Sequence, residues 1–384
     1  MNAVPDFADL EVALSHDWLT GMRGGEKCLE EIVKLFPRSE IHTLVHVKGS
    51  VSSVIEARQI RASFLQRVPG IEKAYKYFLP FFPLAARSRR VLPGKDLVIS
   101  VSHCAAKGIS VPEGAKHLCY CLTPMRYAWL FFDEYFGSVP APFRALIRPV
   151  LAALRAWDRA ASRSVTRFAA ISEHVRERIR AFYGREASVI YPPVDTDFYT
   201  PADRPRGRFF VLVSAFVPYK RVDLAIRAAN LLGAKLAVIG NGPEEKRLRA
   251  LAGPTVEFLG WKKNEEIREF YRSCEAVVFP GEEDFGIVPV EAQACGTPVV
   301  AFARGGALET VVAGKTGVFF TEPTAASLAA AMKEAAARPW DRAAIRAHAE
   351  KFSAARFRRE FAEAVKETLS DSRHSDVYVH EDRP

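Results

Sequence analysis

The sequence predicts an α/β protein built from two doubly wound parallel-sheet domains facing across a cleft. Three observations predict it. Short apolar runs alternate with amphipathic stretches along the chain, which is the pattern of strands followed by crossover helices. The alternation occurs twice, with an aperiodic, proline-rich and charged stretch between the two series. The length, 384 residues, suits two domains at roughly 100–200 residues each.

The elements follow in order. EVALS (11–15) is a strand, followed by a glycine-containing loop and the helical pattern EKCLEEIVKLF. LVISV (97–101) and HLCYC (117–121) are further buried strands, and the first series ends near SVIYPP (188–193). The second series contains FFVLVS (209–214), KLAVIG (235–240), VEFLG (256–260), EAVVFP (275–280) and PVVAFA (298–303), with helical stretches between them. The expected organisation is a Rossmann-like domain over 1–192, a linker over 193–207, a second Rossmann-like domain over 208–368 and a polar tail over 369–384. In such sheets ligands bind beyond the carboxyl ends of the strands.

Hydrophobic residues make up 49% of the chain and charged residues 26%, the composition of a globular protein with a sizeable core. The net charge of +9 favours an anionic partner. Nucleic acid is not expected, because no reader motif accompanies the charge. None of the six cysteines (28, 104, 119, 121, 274 and 295) forms a CxxC pair. Buried thiols in a reducing compartment are expected. MNAVPDFADLEVAL lacks the basic and apolar regions of a signal peptide, and no run of about 18 apolar residues exists to span a membrane. A cytoplasmic protein is expected.

The sequence from 280, PGEEDFGIVPVEAQACGTPVV, holds the chemistry. A strand runs into a loop of carboxylates and glycine, then into a short helix with Pro289 in its first turn and Gly296 at its end. Glu283 lies in the loop and Glu291 in the helix. The helix start offers unpaired N–H groups to an anion. Carboxylates there accept hydrogen bonds from sugar hydroxyls. Helix-dipole complementation alone is the competing explanation of the pair.

EEDFGIVPVEAQACGTPVV resembles the E-x7-E signature of family 4 glycosyltransferases of the GT-B fold. The resemblance extends over about residues 12–368. It implies a retaining hexosyltransferase that uses a nucleotide-sugar donor. Glu283 would contact the transferred sugar, orienting it without forming a covalent bond, and the amides of Phe285, Gly286, Ile287 and Val288 would hold sugar and phosphate. Glu291 would bind ribose. Gly24 and Gly25 in GMRGGEK would let the backbone approach the phosphates, and Lys220 in VPYKRVD would be the diphosphate cation. Gly242 and Pro243 in GNGPE would neighbour the donor, and FLGW (258–261) would lie at the nucleobase.

Two positions depart from the family. An arginine is usual five residues before the lysine, where this chain has Ala215, so Arg221 is the candidate substitute. Histidine is usual where Leu122 stands in CYCLTPMRYAW, so His103 is the candidate catalytic histidine. Thr123, Arg126 and Tyr127 are candidate acceptor contacts. The donor phosphate itself could take the acceptor's proton. Asp195-Thr196-Asp197 spells DxD, but in the family this segment has no metal role. No metal and no cofactor beyond the donor are expected.

RQIRASFLQRVPGIEKAYKYFLPFFPLAARSRR (58–90) and FRALIRPVLAALRAWDRAASRSVTR (143–167) interleave basic with large apolar residues, as suits an anionic membrane surface. The resemblance implies a glycan or polyprenyl-diphosphate-linked acceptor at the inner membrane face. GMRGGEK, TPMRYAW and VPYKRVD are similar to motifs of bacterial O-antigen and exopolysaccharide mannosyltransferases, which implies GDP-mannose, with a UDP-sugar as the alternative. A non-catalytic scaffold that binds sugar nucleotides is a second reading, supported by Leu122 and Ala215. An epimerase would need a nicotinamide fingerprint that this sequence lacks.

Overall fold

A computed structural model describes residues 7, 9–130, 132, 140–203 and 205–371. They divide into two compact units, one formed by residues up to Tyr191 together with those from Phe357, the other by Pro192–Arg356.

The first unit carries a seven-stranded, wholly parallel sheet in the order β3-β2-β1-β4-β5-β6-β7. Its strands are β1 (Val12–Leu19), β2 (Glu40–His46), β3 (Ile60–Ala62), β4 (Leu97–Ser102), β5 (Lys116–Cys121), β6 (Arg167–Ala170) and β7 (Ala187–Val189). All eight residues of β1 are buried, as a central strand covered on both faces must be. The order reverses between β1 and β4, so the loops after these strands mark this unit's switch point.

The second unit repeats the plan with six parallel strands ordered β10-β9-β8-β11-β12-β13. These are β8 (Phe210–Val213), β9 (Leu236–Ile239), β10 (Val256–Gly260), β11 (Ala276–Phe279), β12 (Val299–Phe302) and β13 (Gly317–Phe320). Leu212, Val238, Val278 and Val300 from four strands meet Ile226, Leu328 and Met332 from the covering helices in one core. The switch point here lies between β8 and β11.

Two boundaries differ from expectation. The stretch read as a linker is docked on the second unit. Val194 donates its N–H to the Phe352 carbonyl at 2.9 Å, and the Arg346 guanidinium binds the carbonyls of Tyr199 at 3.0 Å and Thr196 at 3.2 Å. A stretch without periodicity can still be ordered when its carbonyls find a donor. The helix Ala354–Leu369, expected in the second domain, returns to the first unit from Phe357 onward. Phe357 and Phe361 place their rings 5.6 and 5.8 Å from the Tyr120 ring on β5, and Arg358 pairs with Glu31. Of the expected tail, residues 372–384 lie outside the described residues. All six cysteines are free and buried.

Candidate functional site

In the second unit, the loops after β8 and β11 come together at the switch point. Pro218–Lys220 form one 3-10 turn, and the Lys220 ammonium pairs with the Glu283 carboxylate from the neighbouring loop. The pair is partly open to solvent, with Lys220 18% and Glu283 21% exposed. The approach depends on Gly281, because a Cβ there would sit 2.8 Å from the Tyr219 carbonyl and 2.9 Å from the Lys220 Cα. Behind the loop stands Gly306, which donates its N–H to the Glu283 carbonyl at 2.8 Å. A Cβ on Gly306 would meet the Phe285 backbone at 2.3 Å.

The helix Ile287–Ala294 starts beside this pair. Its N-cap is Gly286, at φ 91° in the left-handed region, and no side chain caps the helix. Ile287 and Val288 open its first turn, and Phe285 is buried with its ring 5.6 Å from Phe352. The Phe285 side chain therefore serves as an anchor, and its contribution to a site is its backbone. Gly242 lies against the β8 loop, where a Cβ would meet the Phe216 carbonyl at 2.5 Å. Pro243 follows it.

Arg221 sits at φ 52°, the only non-glycine at positive φ among the described residues. Its Nε donates to Asp223 at 3.2 Å, so its guanidinium is committed to the first turn of the helix Val222–Leu232. Glu291 is only 6% exposed. The Tyr271 hydroxyl donates to its Oε2 at 3.4 Å, and the Tyr199 hydroxyl also hydrogen-bonds this carboxylate. Burial first, then the Glu291 charge, pushes both tyrosines far above the usual phenol range, so both remain O–H donors. A carboxylate has lone pairs beyond two such bonds.

In the first unit, the switch point gathers acid and imidazole groups. Asp17 near the end of β1 is fully buried. Its carboxylate accepts the backbone N–H groups of His103 at 2.7 Å, Cys104 at 3.0 Å, Ala105 at 2.5 Å and Ala106 at 2.7 Å. The His103 Nδ1 lies 3.0 Å from the same carboxylate, while the His103 side chain keeps 26% exposure. Burial pushes the Asp17 carboxyl up, but the charge and hydrogen bond of His103, then the charge of His16, outweigh it. The group lies well below the usual carboxylate range. His103 is further fixed by Trp18, edge-on at 4.5 Å between ring centroids.

His16 is buried beside it, with Nδ1 3.0 Å from the Val101 carbonyl and Nε2 3.6 Å from Glu26. Burial disfavours its charged form, but Glu26 and Asp17 raise it above its ordinary value overall. Gly24 and Gly25 begin the helix Gly24–Leu35. A Cβ on Gly25 would touch Leu122 at 2.8 Å and His16 at 3.4 Å. Leu122, which stands where the resembled family usually has histidine, therefore packs on the glycine loop. Thr123 is buried, and its Oγ1 has no partner among the described residues. Arg126 opens the short helix Arg126–Trp129, and Tyr127 packs on the first-unit core. In the DxD stretch, Asp195 accepts the Phe198 N–H at 2.9 Å, a turn role.

Sequence reasoning did not single out His16, Asp17, Glu26, Tyr199, Tyr271 or Gly306. Three polar residues in SHDW, inside a strand that should be wholly apolar, were the available signal for the first two. Glu26 directly after Gly24-Gly25 was another.

Residues 197–352 match the family model described as glycosyl transferases group 1. The matched residues are nearly the whole of the second unit. The D-inositol 3-phosphate glycosyltransferase of Mycobacterium sp. (strain KMS) is 37% identical over 151 residues, 34% of this chain and 34% of the relative. An uncharacterized glycosyltransferase of Methanocaldococcus jannaschii is 33% identical over 154 residues, 38% of this chain and 43% of the relative. The matched stretches thus span a third to under a half of those relatives. Among solved structures, the Anabaena protein HepE in complex with UDP and glucose aligns with TM-score 0.66 at 20% identity, covering 93% of this chain and 99% of that one. Sucrose-phosphate synthase from Thermosynechococcus elongatus aligns with TM-score 0.67 at 17% identity, covering 93% and 98%. At such identities the likeness is one of fold. The two Rossmann-like sheets match GT-B glycosyltransferase structures.

Proposed function

We propose that the protein is a retaining glycosyltransferase that moves a hexose from a nucleotide-sugar donor to a glycan acceptor. The observation that carries this reading is the Lys220–Glu283 pair beside the start of the helix Ile287–Ala294. A sugar diphosphate needs a cation and N–H donors for phosphate and a carboxylate for hydroxyls, and these three features supply them.

In this reading Glu283 holds the sugar hydroxyls, the amides at 285–288 with Lys220 receive the diphosphate, and Glu291 accepts from ribose. The anomeric C–O bond to phosphate breaks as the acceptor oxygen bonds to the same face. The departing negative charge falls on Lys220 and the helix start, so the proposed reaction uses no bound metal. Stabilising that charge is where most of the rate would arise. The acceptor proton passes to the departing phosphate oxygen. His103, with Nδ1 committed to Asp17, keeps Nε2 to take a hydrogen bond from the acceptor hydroxyl. Glu283→Gln and Lys220→Ala should each lower transfer by about 100-fold or more while the protein stays folded. Wild-type rates in both variants would reject the site.

The donor is read as GDP-mannose, on the motifs 21–27, 123–129 and 217–223. UDP-glucose is the second reading, favoured by the HepE complexes with UDP. A thermal-shift comparison decides between them. A nucleotide at 100 times its Kd should stabilise by ~2.7 kcal/mol, and a UDP response without a GDP response would overturn the mannose reading. A match over 34% of the chain does not bring the inositol phosphate of the relatives' name to this protein.

The acceptor is read as lipid-linked, at an anionic membrane surface. Tyr77, Phe81, Leu84 and Leu92 are exposed along 58–92, and Leu146 is exposed on the helix Ala141–Ala161. Lys73, Lys76, Arg87, Arg90 and Arg148 are exposed among them. Not every basic residue of these stretches is available, because Arg89 is buried on Ser15 and Arg155 is bound to the Ala128 carbonyl. No helix of the described residues is long and apolar enough to cross a membrane.

A further inference from the structure

A second cationic site lies in the second unit, at the opposite edge of its sheet. Arg206 precedes β8 and Glu275 precedes β11, whereas the loops of the proposed donor site follow those strands. Strands of this length put about 13 Å between the two edges. Arg206, Glu275, Arg338, Trp340 and Arg342 line a cavity of about 310 Å³, which is the size of a small-ligand pocket.

The charges in this cavity do not balance. Three guanidinium groups face one carboxylate, leaving an excess of two positive charges. Arg338 also reaches Glu334 at 3.4 Å, but that pair is exposed and weak. Arg206 spends its two terminal nitrogens on the carbonyls of Glu275 and Gly296. Its Nε, together with Nε and Nη2 of Arg342, is buried with no partner among the described residues. Burial, then the charge of Arg342, pulls Arg206 below its ordinary value, so the two cations oppose each other. Buried donors of a charged group are costly to leave unmade. The Arg338 guanidinium lies over the Trp340 ring at 5.5 Å from its centroid, and the Trp340 Nε1 is bound to the Ala335 carbonyl at 2.8 Å.

We propose that this pocket binds a small phosphate-bearing dianion. Two negative charges cancel the excess, and phosphate oxygens accept the three orphaned N–H groups in the forked geometry guanidinium prefers. The face of Trp340 away from Arg338 would meet a sugar or other flat moiety attached to the phosphate. The site stands apart from the donor reading and survives if that reading fails.

The test is calorimetric titration of the full chain with inorganic phosphate and with glucose 6-phosphate. Each titration is repeated with nucleoside diphosphate present in excess. Binding should persist with the nucleotide present and in Lys220→Ala. Arg342→Ala and Arg338→Ala should each weaken it about tenfold or more. Without phosphate, Arg342→Ala should melt no lower than wild type, because its buried Nε and Nη2 have no partner among the described residues to lose, whereas a purely structural arginine would lower the midpoint. Arg338 is exposed and its ion pair with Glu334 is weak, so Arg338→Ala keeps the test open if Arg342→Ala does not fold. Equal affinity for the two probes would identify free phosphate as the ligand. Tighter glucose 6-phosphate binding, lost in Trp340→Leu, would identify a sugar phosphate. Absence of binding, loss of all binding on adding nucleotide, or indifference to both arginine variants overturns the proposal.

Discussion

Asp17 shows how much one side chain can organise. Four backbone N–H groups and an imidazole converge on it in a site closed to water. Asp17→Ala should destabilise the protein by about 3–5 kcal/mol, since it leaves the His103 imidazole and four backbone amides without their buried acceptor. The pH dependence has a definite sign. The folded-state group lies below its unfolded value, so its stabilisation is complete above the ordinary carboxylate range and is lost as pH falls through and below that range. Acid unfolding followed by circular dichroism should therefore be less steep in Asp17→Asn than in wild type, and equal slopes would contradict the assignment. For His103→Asn the informative quantity is the pH profile of transfer. If His103 only positions the acceptor, kcat falls and the profile keeps its shape, whereas loss of the alkaline plateau would make His103 the proton acceptor.

At the scale of elements, glycine contacts divide into two kinds. On Gly306 an added methyl meets the Phe285 main chain, which cannot move without shifting Glu283 and the start of the helix Ile287–Ala294. On Gly25 it meets the far end of Leu122, which can rotate away. Gly306→Ala should thus abolish nucleotide binding in a thermal-shift assay, and Gly25→Ala should keep most of it. The same elements show what was legible beforehand. The strand–loop–helix at 276–294 could be read because its turn residues, carboxylates and apolar run all sit within one short segment. The Lys220–Glu283 contact spans two loops, and only the sheet order brings them together. Glu291 was legible as a helical carboxylate, but its burial between Tyr199 and Tyr271 was not. Those tyrosines come from the docked stretch after β7 and from the helix Asn264–Ser273, and no periodicity links the two. Short edge strands such as β3 and β7, three residues each, give too little alternation to detect.

For the whole molecule, the charge excess and the exposed apolar residues of the first unit make one joint prediction. Vesicles with anionic lipid should sediment the protein, neutral vesicles should not, and added salt should weaken the binding because the interaction is screened. Replacing Tyr77, Leu84 and Leu146 by serine should reduce sedimentation without lowering transfer to a soluble acceptor. Unchanged sedimentation would move the membrane contact elsewhere. The two-sheet plan itself was readable from the chain. The ownership of the helix Ala354–Leu369 was not, because its apolar face at Phe357 and Phe361 fits any sheet face and only the packing against Tyr120 decides.

That returning helix gives the chain an order of completion. The residues of the second unit, 192–356, are contiguous, so that unit can fold without any residue of the first. The first unit, although made earlier, must wait with β5 and its Tyr120 uncovered until Phe357 and Phe361 emerge. A chain truncated after residue 356 should therefore yield a protease-resistant second half and a first half that depends on chaperones. Phe357→Ala, at about 3–5 kcal/mol for a buried aromatic, should lower the yield of folded protein by weakening the seal that forms last.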